Sequence, residues 1–240
     1  MRIRGVILST ILVAALPVAS HAQDRGFFVG VDVLGGVASG SSDTRNGGGI
    51  LPMFEGDGVV DEIRFENTIG IGGHIGYRFK PSWSAIISYQ HFRDGVSWEA
   101  TFPTHGGGSS FDGEATSDVV VANLAYTRPL SDATSASIRV GVGVAFNGLS
   151  DLVETDKATG IFVSDVAEHR KASATIPIGL GIQRTLTSSM SIGLDAAYAY
   201  AGGFATGDTR TGNLGVTSIN PYEINSVWRG TLGASLRVMF

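Results

Sequence analysis

Apolar and polar residues alternate through most of the chain, and the alternation is cleanest at its end. Counting back from Phe240, Val238, Leu236, Ala234, Leu232, Gly230 and Trp228 fall on one side, with Met239, Arg237, Ser235, Gly233, Thr231 and Arg229 on the other. A period of two is a strand with one greasy face. This strand, Asn225 to Phe240, runs to the last residue, so no hairpin extends it. Its open edge must be capped, or it must pair with the first strand and close a barrel.

Seven earlier segments repeat the pattern. Phe27 to Val37 sets Val29, Val31 and Val33 against Gly30, Asp32 and Leu34. Ile63 to Phe79 sets Ile63, Phe65, Ile69, Ile71, Ile75 and Tyr77 against Arg64, Glu66, Gly70, Gly72, His74 and Arg78. A third strand starts with Trp83, Ala85, Ile87 and Tyr89, but beyond His91 the apolar row moves to Phe92, Val96 and Trp98. That one-residue change of parity predicts a bulge or the membrane boundary. Val120 to Tyr126, Ala136 to Asn147, Ala172 to Gln183 and Met190 to Tyr200 follow, and Pro177, which deletes a ladder bond, predicts a local bulge.

Tight turns at Lys80-Pro81-Ser82, Pro129 to Thr134 and Thr185 to Ser189 alternate with long loops at 38–62, 101–117, 149–169 and 202–223. Eight strands joined in this way put three tight turns and both termini at one end and four long loops at the other. The expected fold is all-β, a closed antiparallel up-and-down transmembrane barrel with short periplasmic turns and long extracellular loops. Within hydrocarbon every backbone group needs a partner, so the sheet has to close. Further hairpins in the first and third long loops would raise the count to ten strands.

The competing architecture is a soluble barrel of lipocalin type with an apolar interior. Its outer face would carry Lys and Glu in mid-strand. Here the polar rows are mostly Gly, Ser, Thr and Ala, which suit a crowded interior. Aromatics also gather near strand ends: Phe27, Tyr77, Phe79, Trp83, Tyr126 and Phe240 at the turn end, Phe65, Trp98, Phe146, Tyr200 and Trp228 toward the loops. Two such belts are expected where a barrel crosses two interfaces.

Composition adds an address. Among 240 residues, 34 are glycine, none is cysteine and 16% are charged, so the fold is held without disulfides. No run is long enough for a membrane helix. Val6 to Val18, preceded by Arg2 and Arg4 and followed by Ser20-His21-Ala22, reads as a cleaved signal peptide over residues 1–22, the alternative being an uncleaved anchor. Of 17 basic residues, 15 would then remain against 22 acidic ones, a formal charge of −7 on the barrel at 23–240. That balance argues against nucleic acid as a partner.

With the leader, the eight alternating segments, the loop asymmetry and the final Phe240, the chain resembles the small outer-membrane β-barrel family of Gram-negative bacteria, the porin-like group that includes opacity-type proteins and the OmpA transmembrane domain. The resemblance implies an integral outer-membrane monomer in contact with outer-membrane lipid and lipopolysaccharide. Phe240, Val238 and Leu236 match the terminal signal read by the barrel assembly machinery, with Ser235 where a glycine is often seen. The family spans adhesins, structural anchors, narrow channels and a few lipid-modifying enzymes. A structural or surface-interaction role, with host or environmental ligands, is the leading expectation. A narrow channel for small solutes comes second and an enzyme acting on lipid is remote.

Candidate chemistry is sparse. Strand directions place Asp32, His74, Arg139, Asp195 and Arg237 in the turn half of the lumen, with Arg64, Glu66 and Arg229 nearer the loops. They form either an internal ion-pair plug or a selectivity filter; eight strands enclose just enough room for side chains to fill. No histidine is followed two residues later by serine, so no catalytic pair suggests itself and no catalytic residue or cofactor is expected. Glu55, Asp57 and Asp61 are the only metal candidates, and they fail as an EF-hand because Met53 and Arg64 would occupy ligand positions. The long loops are acidic, with Glu62, Asp112, Glu114, Asp151, Glu154, Asp156, Asp165, Glu168, Asp208 and Glu223 among their residues. Such a crown beside lipopolysaccharide phosphates calls for bridging divalent cations, or is simply a solvated surface.

Overall fold

A computed structural model describes residues 25–42, 59–102, 106–213 and 215–240. Residues 1–22, expected to be the leader, and the metal candidates Glu55 and Asp57 lie outside the described residues. Twelve strands follow in order: β1 (Gly26–Ser39), β2 (Val59–Phe65), β3 (Thr68–Lys80), β4 (Trp83–Phe102), β5 (Gly107–Pro129), β6 (Thr134–Asp156), β7 (Phe162–Val166), β8 (His169–Thr185), β9 (Met190–Ala205), β10 (Thr209–Gly212), β11 (Gly215–Ser218) and β12 (Glu223–Met239). Eight of them, β1, β3, β4, β5, β6, β8, β9 and β12, pair antiparallel in a ring. The ring closes between β12 and β1, from Phe28 opposite Met239 to Ser39 opposite Trp228. The Phe240 amide extends the seam by donating to the Phe27 carbonyl at 2.8 Å.

The alternating rows point as a bilayer requires. Leu194 and Leu232 are 70% and 71% exposed, and Val33, Ile69, Ile71, Val142 and Leu180 share the outer wall with them. A lipocalin-type interior would have buried these rows. The turn-end girdle includes the Phe27–Tyr77 and Trp83–Tyr126 ring pairs at 4.7 and 5.2 Å, and the loop-end girdle stacks Tyr198 on Trp228 at 5.3 Å.

Where inward glycines face aromatic rings, the missing side chain is the seat. A Cβ on Gly76 would lie 2.2 Å from the ring of Phe28, which is wholly buried beside Ile86 and Ala125. Gly76→Val should therefore displace that ring and cost about 1–3 kcal/mol by overpacking, read as a lower urea midpoint for the reconstituted barrel. An unchanged midpoint would show the turn end to be loosely packed.

Beyond the outer wall's apolar band the polarity reverses. β4 pairs with β5 without a register shift from Trp83 opposite Tyr126 to Phe102 opposite Gly107. The bulge predicted near His91 is therefore absent, and the boundary reading is the one that applies. Trp83, Ala85, Ile87 and Tyr89 look outward, while Phe92, Val96, Trp98 and Ala100 look inward and are buried. Above Tyr89 the outer face meets water, so His91, Arg93, Ser97 and Glu99 occupy it and apolar side chains turn inside.

What reads as loops in the sequence is largely this extension. β5 and β6 rise past the band with β4, and β2 pairs with β4 from Val59 opposite Thr101 to Phe65 opposite Val96. β7 adds to β6, β10 to β7 and β11 to β10. The cap has its own core, in which Trp98 stacks on Phe111 at 5.2 Å and Tyr222 packs on both rings, with Leu149, Leu152, Phe204, Ile219 and Ile224 around them. Trp98 thus belongs to the cap core and not to an aromatic belt, and Phe65 packs against that same core.

Two irregularities shape the rim. Pro177 interrupts the β6–β8 ladder between Val140 opposite Ile178 and Gly143 opposite Thr175 but leaves the register unchanged on both sides and stays opposite Ala199 on β9, so the bulge predicted there is absent and the missing amide costs ladder pairing alone. The β8–β9 ladder stops at Ile176 opposite Tyr200, and Gly202, at φ 86°, turns β9 inward. Side chains take over from the ladder there: Thr175 donates to the Tyr200 carbonyl at 2.6 Å, and Asn147 to those of Ala201 and Gly203 at 2.8 and 3.0 Å.

Candidate functional site

The inward polar residues form two levels of contacts. At the turn end, β1 and β3 bring Asp32 against His74 Nδ1 at 3.0 Å. The other ring nitrogen of His74 lies 3.4 Å from Arg237 Nε, and Arg237 Nη1 donates to Gln183 at 3.0 Å. The Arg237 guanidinium covers the Phe28 ring at 4.4 Å. Alongside, Arg139 pairs with Asp195 at 3.1 Å, and Ser235 donates to the same carboxylate at 3.2 Å. The barrel floor is thus filled by Phe28, His74, Arg139, Gln183 and Arg237.

The second level lies toward the cap. Arg229, 3% exposed, donates to Asp94 at 2.7 Å and lies over the Phe92 ring at 4.5 Å. Thr68 donates to the other Asp94 oxygen. Between the levels sits a cavity of about 70 Å³, touched by Ser88, Gln90, Asn123, Thr175, Arg139 and Arg229. That is room for a few waters. Above it the Trp98–Phe111–Tyr222 core closes the top.

Asp32, His74, Arg139, Asp195, Arg229 and Arg237 therefore meet inside, whereas Arg64 and Glu66 do not. Between β3 and β2 the chain carries one more residue than β4 opposite, since Ile69 faces Arg93 but Phe65 faces Val96. That single insertion exchanges the faces. Ile63 and Phe65 turn inward against the cap core, and Arg64 turns outward, 74% exposed and paired with Glu62. Glu66 lies exposed over Gly95. Asp94, Gln183 and Ser117 complete the interior contacts and were not singled out from sequence. Asp94 shares its parity with Phe92 and Trp98, and Arg93, Ser97 and Glu99 on the opposite parity are what a row facing water looks like.

The acidic loops are less acidic in space than in sequence. Glu154, 2% exposed, is buried under the cap and held by Ser109 and Ser164 at 2.7 Å and by Arg210 at 3.0 Å. Lys157 pairs with Glu99, which stands opposite Asp61 in the β2–β4 ladder, so that corner already holds a cation. Asp156 caps its own turn, and the hydroxyl and amide of Thr159 hold its carboxyl below the usual range. Among the described residues no three His, Asp or Glu side chains converge on a point suited to a metal.

A ring closed by its first and last strands, with apolar rows outward, girdles at both ends and ion pairs within, defines a transmembrane β-barrel. The sequence matches the outer membrane protein beta-barrel domain over residues 8–218, and the chain belongs to that family. This places it in the bacterial outer membrane, short turns on the periplasmic side and cap outside. The fold is similar to that of Neisserial surface protein A, at 13% identity and a TM-score of 0.54, covering 91% of this chain and 100% of that one. It is also similar to the outer membrane protein OprG from Pseudomonas aeruginosa, at 16% identity and a TM-score of 0.51, covering 88% and 95%. No curated protein sequence matches the chain significantly.

Proposed function

We propose that this protein is a non-conducting outer-membrane barrel that works through its extracellular cap, in a structural or surface-interaction role, after export and removal of residues 1–22. The observation that carries this reading is the filled interior. The floor of Phe28, His74, Arg139 and Arg237, the Arg229–Asp94 pair and the Trp98 core lie in series along the axis. Among the described residues, the part that faces outward beyond the membrane is the β2, β4–β7, β10 and β11 sheet. Catalysis is not part of the proposal: both nitrogens of His74 are engaged by Asp32 and Arg237, and among the described residues no serine hydroxyl bonds His74 or His91.

The second reading, a narrow channel, draws on the cavity of about 70 Å³ between the two levels. Single-channel recording of the protein in planar bilayers separates the two. The closed reading expects no steady conductance above membrane noise, and a sustained open level removed by blocking Arg139 or Arg237 would replace it with the channel.

A further inference from the structure

The outermost part of the cap carries a groove separate from both levels of the lumen. β7, β10 and β11 continue the sheet beyond β6, and in them Gly212 stands opposite both Ser164 and Gly215, and Arg210 opposite both Val166 and Thr217. Ser164, Arg210, Gly212, Gly215 and Thr217 therefore share one face. The two glycines leave that face hollow. A side chain on Gly212 would collide with the Val163 carbonyl, and Gly215, at φ 84°, holds a turn conformation in which a Cβ would meet nothing within 4 Å. The result is an open groove of about 320 Å³, floored by this face and walled by Asp156, Thr159, Ile161 and Phe162.

The charges around the groove are engaged within the protein. Arg210 donates to the buried Glu154 at 3.0 Å and to the Thr217 hydroxyl at 3.2 Å, and Ser164 donates to the same Glu154 at 2.7 Å. One oxygen of Asp156 accepts from the amides of Ala158 and Thr159 and from the Thr159 hydroxyl, at 3.1, 2.8 and 2.7 Å. Directed hydrogen-bonding groups remain. Thr217, having accepted from Arg210, has its hydroxyl hydrogen to donate. Asn213 gives its amide N–H to the Phe162 carbonyl at 3.1 Å and keeps its oxygen as an acceptor, as the second Asp156 oxygen is. Beside them Phe162 is 41% exposed and Ile161 63% exposed, at the rim of the same cap that buries Trp98, Phe111 and Tyr222.

We propose that this groove is a carbohydrate site that takes one uncharged hexopyranose ring at the end of a glycan. A pyranose has an apolar face of C–H groups and a rim of hydroxyls, each both donor and acceptor. Its face fits the Phe162 ring and the glycine floor, where C–H groups meet a π-system. Its rim matches the Thr217 donor and the Asn213 and Asp156 acceptors, and an O–H bond to a carboxylate is stronger than a neutral one. The volume lies at the low end for small-molecule sites, which suits a single ring. An extended peptide would need a run of backbone partners, and the floor's amides and carbonyls are taken by the β7–β10–β11 ladders. This inference rests on the cap being the working surface of the protein.

The test is saturation-transfer NMR on the full refolded chain in a phosphocholine detergent. The probes are the methyl glycosides of glucose, galactose, mannose and N-acetylglucosamine, with open-chain sorbitol, which has the hydroxyls and no ring face, as the control. At least one glycoside should receive saturation and sorbitol should not. Phe162→Ala and Thr217→Val should each weaken that glycoside about three- to tenfold, the scale of one aromatic contact or one hydrogen bond. Val216→Ser, on the opposite face of β11, should leave it unchanged. Transfer to none of the four, equal transfer to sorbitol, or undiminished binding by Phe162→Ala overturns the proposal. The wild-type comparison of glycoside with sorbitol decides even if a variant misfolds, and heat-modifiable migration of each sample reports folding. Competing polysaccharide from the same cells, or from cells of another species, tells an envelope sugar from a foreign one. Absence of glycoside binding in a folded, non-conducting barrel refutes only this inference, whereas a conducting barrel that binds the glycoside refutes only the closed-lumen reading.

Discussion

Asp94→Ala should cost the barrel about 3–5 kcal/mol of stability, the range for stranding one half of a buried ion pair. Arg229 is 3% exposed, so its charge has at most the few waters of the adjoining cavity to fall back on when the carboxylate 2.7 Å away is removed. The Thr68 hydroxyl loses its acceptor in the same step. Replacing both partners by apolar residues of similar volume, Asp94→Leu with Arg229→Met, should restore most of the loss, because the desolvation cost of two charges disappears with them. Urea unfolding in lipid vesicles, followed by tryptophan emission and by heat-modifiable migration, measures both variants. A loss below about 1 kcal/mol for Asp94→Ala would mean that bulk water reaches Arg229, and the interior could no longer be described as sealed at that level.

Trp98→Ala should damage the cap and spare the barrel. The indole, 2% exposed, is stacked on Phe111 and packed against Tyr222. Its removal leaves a cavity that Leu149, Leu152 and Phe204 fill only in part, at about 3–5 kcal/mol. The membrane ring below has its own ladders and its own solvent, so the loss should appear as local opening. Limited proteolysis should cut between β10 and β12 far faster than in the wild type, while the difference in migration between boiled and unboiled samples persists. A single transition that takes cap and ring together would instead show that the two regions fold as one unit.

Most of the architecture is legible from alternation alone. The rows of β1, β6, β8, β9 and β12 keep one parity through the bilayer, and their outer faces are the ones the sequence marks as apolar. Reading fails where a strand leaves hydrocarbon. The pattern Phe92, Val96, Trp98 leaves a bulge and the membrane boundary equally open, and only the straight strand decides for the boundary, where its surroundings change from acyl chains to water. The same assumption extended β3 through Asn67 and placed Arg64 and Glu66 in the lumen. A single inserted residue cannot be located by periodicity when both of its flanks alternate. Glu154 shows the third limit: nothing local distinguishes a buried carboxylate from its exposed neighbours until β10 brings Arg210 across from a different loop.

The seam between β1 and β12 has a consequence for biogenesis. Its partners, such as Val29 and Val238, are separated by nearly the whole polypeptide, so cylinder closure is the least local step available to the chain and the one that entropy penalises most. Any product that stops short of β12 keeps two raw sheet margins, each a template for a neighbouring molecule. Truncated copies should therefore surface as aggregates, not as smaller barrels.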